Sequence, residues 1–431
     1  MNVADSELVA GIMEQEGYQR TLSVTEADVI FLNTCAVREH AEEKIHSRFG
    51  VLKKLKSEKP DLLMGILGCM AQHMKNEFLE NKTYIDFVLG PDSYRRIPEM
   101  LYRQKEQRDS FVDTRLSRYE LYDHLFPSRK VGINAWVSIM RGCDKFCTFC
   151  IVPFTRGRER SRSVEGIVEE VTKAVEDGFV EITLLGQNVN SYRYGNVRFP
   201  ELLNTVAQIP GILRVRFISP HPQEVDDDLL FVIRDRASIC KSIHLPLQAG
   251  ADRILKRMNR TYTQVRYLSI VDRIRQLIPD CSISTDIITG FPGETRDEFE
   301  ETLNVMEIVR FDSAFTFKYS PRPGTKAAEY TDQVPEEEKQ NRLEELITLQ
   351  RKHTLTNNLR EVGKTVEVLV EKESKKSQLM WAGRTDSNKW VIFPKGYANI
   401  KDMVNVTITA ASGVTLLGRL TKNLEYADEI V

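Results

Sequence analysis

The chain has 431 residues, of which 41% are hydrophobic and 28% are charged, and its formal net charge is −2. This composition is typical of a soluble globular protein and excludes a disordered or low-complexity chain, while the length allows two or three domains. No apolar run approaches the roughly 18 residues of a membrane span, so we expect no membrane association. Because the net charge is close to zero, any nucleic-acid binding must come from local basic patches.

The first hundred residues alternate predicted strands with predicted helices, which favours a parallel, Rossmann-like sheet. The strands are predicted at residues 27–32, 62–67 and 84–89. Cys35 ends the turn NTC after the first strand, and Cys69 ends the turn LGC after the second. Open α/β sheets bind ligands at this edge. Each cysteine alone could be a small buried hydrophobe, but their matching positions favour one shared site that holds a metal cluster.

Residues 102–130 are polar, mixed in charge and poor in periodicity, so we interpret them as a connector between domains. We place the boundary near Ser128. The predicted organisation is an amino-terminal domain at 1–127, a middle domain at 128–364 and a carboxyl-terminal domain at 365–431.

Three of the seven cysteines lie in the stretch RGCDKFCTFCIVPFTRGRERSR, with the spacing C-x₃-C-x₂-C. Cys143, Cys147 and Cys150 can hold three irons of a cubane cluster, and since a closed cluster normally takes four cysteines, the fourth iron stays open. Catalytic metal sites keep such a position for substrate. The alternative is a zinc site, which usually has a second pair of ligands downstream. The later Cys240 and Cys281 stand alone, so the pattern favours an open iron–sulfur cluster.

From residue 131 to about 364 the strands recur as in a βα barrel, although six units are fewer than the eight that close one. They are predicted at residues 135–140, 181–185, 213–219, 242–247, 282–288 and 314–319. Active residues of such folds lie at the carboxyl ends of the strands. Polar residues at these ends are Gln187, Asn188, Ser219, His221, Gln248, Asp286, Thr289, Lys318 and Tyr319. Any one of them could be a turn or cap residue, but together they favour ligand contacts around one barrel mouth.

Two stretches are rich in basic residues. Arginines at 156, 158, 160 and 162 follow the cysteine loop, where they could form a solvated face or bind phosphate and carboxylate groups. After residue 363 the pattern changes to short strands of a small β-barrel, in which Arg384 and Lys389 lie near Trp390. Basic residues interleaved with aromatic residues suit RNA binding. On composition alone, a capping or oligomerisation barrel whose aromatic residues form its own core is equally compatible.

The cysteine spacing, with Phe149 just before the last cysteine, resembles the signature of radical S-adenosylmethionine (SAM) enzymes. The layout NTC…LGCMAQ ahead of it and a tail that resembles the RNA-binding TRAM domain extend the resemblance to the methylthiotransferase family. The stretches LLGQNVNSY, SPHP and FKYSPRPGT resemble the branch that acts on isopentenyl-adenosine beside the anticodon of tRNA. Other branches modify a ribosomal-protein aspartate or threonylcarbamoyl-adenosine in tRNA, and a non-enzymatic iron–sulfur RNA-binding protein is a further alternative.

The resemblance implies an α/β multidomain fold with a Rossmann-like amino-terminal domain, a partial (βα)₆ TIM barrel and a small all-β TRAM barrel. It implies two 4Fe–4S clusters. The cluster on the loop cysteines binds SAM at its open iron and cleaves it to a 5′-deoxyadenosyl radical. An auxiliary cluster on Cys35, Cys69 and a third cysteine supplies the methylthio sulfur. Met1-Asn2 match the end of a TYGCQMN-like stretch, so the third cysteine and the first strand would lie upstream of residue 1, and a cluster on two thiolates would be labile.

The resemblance also implies contacts and partners. The SAM contacts are expected at Phe149, Gln187, Ser219, Asp286, Ile288 and Gly290, the last two lying against the adenine. We expect substrate RNA to contact Arg156, Arg158, Arg384, Lys389 and Trp390. The implied partners are the anticodon stem-loop of tRNA and a reductant such as flavodoxin or ferredoxin, and the chain is expected to be a cytoplasmic monomer.

Overall fold

The amino-terminal part of the molecule is a four-stranded parallel sheet in the order β1-β2-β3-β4. The computed structural model describes residues 1–35, 39–74, 84–107 and 110–421, with the backbone alone at 39–47. The strands are β1 (Val29–Thr34), β2 (Leu63–Gly68), β3 (Phe87–Leu89) and β4 (Phe111–Asp113). Strand β2 is buried at every position, as expected of a central parallel strand covered on both faces. The predicted parallel sheet is therefore confirmed.

The start of the predicted connector belongs to this sheet. Strand β4 lies wholly within residues 102–130, and the helix Ile97–Gln107 ends within them. The Phe111 N–H donates to the Asp86 carbonyl at 2.8 Å, and its ring stacks on Phe87 at 6.3 Å between centroids. Prediction of an irregular connector was wrong there because a three-residue strand is too short to show alternation.

The middle of the chain forms a partial barrel from two three-stranded parallel sheets. Their orders are β11-β8-β5 and β12-β13-β14, and a parallel bridge from Val215 to Ile239, just ahead of β12, joins them. The strands are β5 (Asn134–Ser138), β8 (Glu181–Leu185), β11 (Arg214–Phe217), β12 (Ser242–His244), β13 (Ser282–Thr289) and β14 (Ser313–Lys318). Two short antiparallel pairs accompany them, β6 (Met140–Arg141) with β7 (Arg160–Ser161), and β9 (Arg193–Tyr194) with β10 (Val197–Arg198). The six predicted barrel strands are all present.

Helices cover both the sheet and the barrel. The described α-helices are α1 (Asn2–Gln15), α2 (Glu39–Glu58), α3 (Cys69–Met74), α4 (Ile97–Gln107), α5 (Val152–Arg156), α6 (Val164–Glu176), α7 (Phe199–Ala207), α8 (Asp227–Asp235), α9 (Asp252–Arg257), α10 (Gln264–Leu277), α11 (Arg296–Val309) and α12 (Glu336–Leu359). Ser163 caps α6, because its hydroxyl accepts the Gly166 N–H at 3.1 Å. Across the described ranges, none of these helices has the length and apolarity to span a membrane.

The tail is a closed five-stranded barrel with its own apolar core, in the order β15-β16-β17-β19-β18. Its strands are β15 (Thr365–Ser374), β16 (Ser377–Thr385), β17 (Trp390–Pro394), β18 (Met403–Ala411) and β19 (Thr415–Leu420). Ser282 Oγ donates to the Ser387 carbonyl at 2.7 Å, and Arg216 donates to the Thr385 carbonyl at 3.0 Å. Since Ser282 begins β13, the tail packs at the amino-terminal end of the barrel strands, opposite the mouth.

Candidate functional site

The cysteine loop is closed by the two-stranded pair of β6 and β7, so residues 142–159 leave and return at one point. Gly142 has a φ of 80°, and a Cβ there would lie 2.0 Å from the Arg158 carbonyl oxygen. Glycine is required because any side chain would collide with the returning strand. The Cys143 N–H donates to the Gly157 carbonyl at 3.1 Å across the same crossing.

A segment after helix α9 fixes the tip of the cysteine loop. Asn259 Nδ2 donates to the carbonyls of Lys145 at 3.1 Å and Phe146 at 3.0 Å. The Thr148 N–H donates to the Met258 carbonyl at 3.0 Å. These bonds satisfy loop carbonyls and amides that regular structure would otherwise pair, so they define the loop conformation. Nothing in the sequence stretch RMNRTYT indicated this role.

The loop thiols lie in a buried, partly cationic environment. Burial, together with the charge of the neighbouring Cys147, raises the pKa of Cys143 to about 11 and that of Cys150 to about 12. Arg260 Nη1 donates to Cys147 Sγ at 3.3 Å, and its Nη2 donates to the Pro246 carbonyl at 3.3 Å. A metal must therefore displace protons from Cys143 and Cys150, and a fixed cation lies beside the Cys147 sulfur. Sequence reasoning missed Arg260 because it lies far from the loop along the chain.

The three loop thiols do not converge on the position of a single ion. Across the described ranges, no three His, Cys, Asp or Glu side chains meet around one ion position. Zinc would need its ligands to converge on one ion, whereas each thiolate of a cubane binds a different iron. Cys143, Cys147 and Cys150 are partly buried on one loop, and three thiolates of one loop suit a cubane whose fourth iron is open.

Carboxylates join the cysteine loop to the ends of the barrel strands. Glu159 of the loop accepts Asn188 Nδ2 at 3.3 Å and Ser191 Oγ at 2.9 Å. Asn188 Nδ2 also donates to Glu224 at 3.0 Å, and Glu224 accepts the Lys145 ammonium group. Asn188 follows β8 and Glu224 follows β11. The strand ends and the cysteine loop thus surround one mouth.

Several polar groups at this mouth have no partner. Both amide atoms of the Gln187 side chain are buried without a hydrogen bond among the described residues, and so are Thr289 Oγ1 and Tyr319 Oη. A buried unpaired polar group costs about 1–3 kcal/mol, so these groups indicate a ligand that would satisfy them. They fit a polar cofactor such as SAM.

Two strand ends carry strained backbone conformations. Ser219 has a φ of 62° and Gln248 a φ of 70°. Non-glycine residues rarely adopt this region, and such residues gather at ligand sites. The Ser219 carbonyl accepts the Val189 N–H at 3.2 Å, which holds the loops after β11 and β8 together.

Asp286 already has a protein partner. His244 Nε2 lies 3.2 Å from its carboxylate, and His244 Nδ1 lies 3.0 Å from Ser284 Oγ. The histidine is paired at both nitrogens. The side chain of Asp286 is 31% exposed, which leaves part of the carboxylate open to the barrel interior.

The other expected SAM contacts are apolar or backbone positions. Phe149 packs edge-to-face on Phe291 at 6.5 Å between centroids, and Ile288 is half-buried against the barrel core. Gly290 has a φ of 68°, and a Cβ there would lie 2.3 Å from Lys339 Cγ. A side chain at position 290 would therefore collide with Lys339 of helix α12, and the expected contact of Gly290 with the adenine stays a prediction.

Cys35 and Cys69 follow paired positions of two parallel strands. Thr34 of β1 is in register with Gly68 of β2, and each cysteine comes directly after its strand. Cys69 is 4% exposed and begins helix α3. The register therefore places both cysteines at the same sheet edge, as the βα pattern predicted.

The cysteine loop and this sheet edge meet. Ile151, the residue after Cys150, is buried in the same apolar cluster as Cys69. Arg156 of helix α5 donates from Nε to Cys69 Sγ at 3.2 Å and from Nη2 to Asp5 at 2.6 Å. The two cysteine sites are thus neighbours rather than separate features of two domains.

Comparison with known proteins identifies the family. The Radical SAM superfamily matches residues 137–306, the TRAM domain residues 359–421, and the family described as Uncharacterized protein family UPF0004 residues 1–90. A Bacteroides fragilis protein named tRNA-2-methylthio-N(6)-dimethylallyladenosine synthase is 48% identical over 97% of this chain and 93% of its own length. A Porphyromonas gingivalis protein of the same name is 47% identical over 98% of this chain and 93% of its own length. The chain belongs to the radical SAM methylthiotransferase family.

Solved structures agree on the fold of this family member. The radical SAM methyltransferase TsrM from Kitasatospora setae aligns with a TM-score of 0.56 at 12% identity, over 75% of this chain and 73% of that chain. The cobalamin-dependent SAM radical enzyme OxsB aligns with a TM-score of 0.54 at 14% identity, over 81% of this chain and 53% of that chain. At these identities the likeness concerns the fold alone. The superfamily implies a 4Fe–4S cluster and SAM as cofactors.

Three of the four arginines after the cysteine loop of this methylthiotransferase are not available to RNA. Arg156, Arg160 and Arg162 are at most 8% exposed. They pair with Asp5 at 2.6 Å, Asp92 at 2.9 Å and Asp123 at 2.7 Å, respectively. The expected RNA contact at Arg156 is therefore corrected to a buried ion pair. Arg158 is 65% exposed and lies over the Phe146 ring at 5.1 Å, so it remains a candidate.

The expected RNA contacts of the tail lie mainly at its junction with the barrel. Arg384 donates to Glu181 at 2.7 Å, and Lys389 contacts Glu361 at 3.3 Å. Trp390 is half-buried between Lys372 at 4.4 Å and Arg384 at 5.4 Å from its ring. These contacts occupy Arg384 and Lys389 with anchoring the tail, which corrects their assignment to RNA.

Proposed function

We propose that the chain transfers a methylthio group to carbon 2 of N6-dimethylallyl-adenosine, the isopentenyl-adenosine of tRNA. The relatives described above carry this reaction in their name and match nearly the whole chain. The structural observation that supports it best is the contact between the two cysteine sites through Ile151 and Arg156. A reaction that needs both a radical and a sulfur source requires two such neighbouring sites.

Cys143, Cys147 and Cys150 would hold the radical SAM cluster. When bound, the cluster and SAM supply the radical that removes hydrogen from the adenine ring, a task that acid–base side chains cannot perform on an aromatic C–H bond. The unpaired polar groups of Gln187, Thr289 and Tyr319 would bind SAM, and the carboxylate network of Glu159 and Glu224 would hold the surrounding loops in place. This rigid mouth aligns the reacting atoms.

Cys35 and Cys69 would hold the second cluster, which supplies the sulfur when bound. The location of these cysteines at the carboxyl edge of β1 and β2, against helix α5, supports a second cluster beside the cysteine loop. The sheet thereby contributes the sulfur source and the barrel contributes the radical.

Exposed groups would bind the RNA. Arg158 borders the cysteine loop, and in the tail Lys375, Lys376 and Tyr397 are exposed. Cations and an aromatic ring on open surfaces suit phosphate contacts and base stacking. The target adenosine must be unstacked to enter the mouth. From the resemblance, we propose the anticodon stem-loop as the bound part of tRNA, a flavodoxin or ferredoxin as reductant, and a monomer acting in the cytoplasm.

Nucleoside analysis tests the proposal. The chain is expressed in a bacterium that lacks its own enzyme for this step, and the digested tRNA is examined by mass spectrometry. We expect 2-methylthio-N6-dimethylallyladenosine to reappear with the chain and not with a Cys147→Ala variant. Methylthiolation of a ribosomal-protein aspartate or of threonylcarbamoyl-adenosine instead would contradict the substrate. Reconstituted, reduced protein that forms no 5′-deoxyadenosine from SAM would contradict the radical chemistry.

A further inference from the structure

A buried carboxylate ties both ends of the cysteine loop to the amino-terminal helix. Asp5 of α1 is 1% exposed and accepts Arg156 Nη2 at 2.6 Å and Arg141 Nη2 at 2.9 Å. Arg141 precedes the first cysteine of the loop, and Arg156 follows the last. Breaking such a buried ionic group is costly because the remaining charge loses its partner, so Asp5 holds the Arg156 side chain in one orientation.

The rest of the Arg156 guanidinium group faces sulfur. Its Nε donates to Cys69 Sγ at 3.2 Å. Arg156 is only 3% exposed, and its Nη1 is buried and has no hydrogen-bond partner within the described part of the chain. A guanidinium group is a rigid planar fork, so its bonds to Asp5 and Cys69 together fix where Nη1 lies. Buried donors are normally paired, and an unpaired one beside a candidate metal ligand indicates an acceptor that binds there.

We propose that Arg156 is a positioning residue of the second cluster, with Nε holding the Cys69 sulfur and Nη1 donating to another sulfur of the bound cluster. The inference rests on the proposed function, because it takes Cys69 as a ligand. Sulfide and thiolate sulfurs are anionic acceptors, and hydrogen bonds and charge near them set the reduction potential of a cluster. The barrel loop would thus tune the cluster of the neighbouring sheet.

Arg160 offers a matched control for a purely structural role. Arg160 begins strand β7, directly after the cysteine loop. It is 8% exposed and pairs with Asp92 at 2.9 Å. Its other bonds go to the carbonyls of Glu120, Arg156 and Arg158, and among the described residues none goes to a cysteine. Arg160→Lys removes a buried guanidinium group and its bonds to these carbonyls without changing a contact to sulfur.

The test isolates the second cluster. The full chain carrying Cys143→Ala, Cys147→Ala and Cys150→Ala is reconstituted with ferrous iron and sulfide under anaerobic conditions. Iron content, the electron paramagnetic resonance spectrum and the reduction potential are then measured with Arg156→Lys, Arg156→Gln or Arg160→Lys added. We expect Arg156→Gln to lower the reduction equilibrium constant about tenfold, or ~59 mV for a one-electron couple, because a donor and a positive charge are lost near the reduced cluster. Arg156→Lys should give a smaller decrease, and Arg160→Lys none.

The outcomes separate this inference from the function on which it rests. If the triple-alanine parent binds no iron, the proposed second cluster is wrong and the inference fails with it. If the parent binds iron and both Arg156 variants keep its potential and spectrum, the positioning role alone is wrong. An equal shift in Arg160→Lys would also contradict it, since it would show a general effect of replacing a buried arginine near the site. Arg156→Lys keeps the charge and provides the measurement if Arg156→Gln does not fold.

Discussion

The two cysteine sites of this methylthiotransferase are built in opposite ways. In the barrel, three cysteines are close together along the chain, and distant residues such as Asn259 and Arg260 hold their loop in shape. In the sheet, Cys35 and Cys69 lie far apart along the chain and meet through the register of two parallel strands. The barrel site is thus encoded locally, whereas the sheet site exists only once the sheet has formed.

The contacts between the sites are also unequal. The cysteine loop contributes Ile151 to the apolar cluster around Cys69 and Arg156 to its sulfur. In return, the sheet domain contributes Asp5, which pairs with arginines on both sides of the loop but with none of its cysteines. We therefore expect changes in the loop to affect both sites, and changes at Cys69 to affect one.

Loss of a loop cysteine should have the largest effect. In Cys147→Ala, the ligand that Arg260 contacts is gone, and the cubane on the loop loses one of its three cysteine ligands. We expect no 5′-deoxyadenosine above background after chemical reduction with SAM, and no methylthio product. Retention of either product at a substantial rate would show that the loop does not hold the radical-generating cluster.

Loss of Cys69 should separate the two activities. Cys69→Ala removes a sulfur ligand from the sheet site and leaves the loop cysteines and Gln187 in place, so methylthio product should disappear while 5′-deoxyadenosine forms as in the parent protein. Both are measured by chromatography in the same reaction. Cys240→Ala, which removes a buried cysteine away from both sites, serves as control. If Cys69→Ala loses both products to the same extent, a change at Cys69 also affects the cysteine loop, contrary to our expectation.

Loss of Asp5 should weaken the contact between the domains. Asp5→Asn leaves Arg141 and Arg156 buried without their charge partner, which costs about 3–5 kcal/mol. Urea unfolding of the metal-free protein measures this as a lower midpoint. The exposed Asp28, paired with Lys59 at 2.8 Å, is the control, and Asp28→Asn should change little. Equal midpoints for the two variants would contradict the anchoring role.

The same carboxylate predicts a dependence on acid. Burial opposes the ionisation of Asp5, but Arg156 and Arg141 outweigh it and hold its pKa below the ordinary value of 3.8. A lowered pKa contributes stability that is present above pH 3.8 and is lost as the pH falls through the folded-state value. The difference in stability between the parent and Asp5→Asn should therefore shrink below that pH. If the difference in stability between the parent and Asp5→Asn does not change as the pH falls below 3.8, this explanation is wrong.

Regular structure and ligand chemistry could be predicted from local patterns. We could predict β1 and β2 from their apolar runs, and Cys35 and Cys69 from the turns that follow these strands. Strand, turn and helix follow one another there within a few residues. The cysteine loop was readable from spacing alone. Strand β4 was not, since three residues show no period.

The partners of charged residues could not be predicted. Arg156 and Arg384 were expected to bind RNA because a sequence shows a charge but not the acid that neutralises it. Those acids, Asp5 and Glu181, lie far away along the chain. Burial and charge pairing are properties of the packed domains, so the predictions about basic residues failed where domains meet. The prediction for the exposed Arg158 stays a prediction.

The smallest expected effect concerns a single amide at the barrel mouth. Gln187→Ala removes two buried, unpaired polar atoms, so SAM should lose hydrogen bonds worth about 1–1.5 kcal/mol, roughly a tenfold rise in the KM for SAM. The metal-free protein should not become less stable, because the amide makes no bond there that could be lost. Gln208→Ala, which truncates an exposed side chain, should leave the KM unchanged. If Gln187→Ala destabilises the metal-free protein and leaves the KM for SAM unaltered, the amide belongs to the fold. A raised KM for SAM with unchanged stability would assign the Gln187 amide to the SAM site of the barrel.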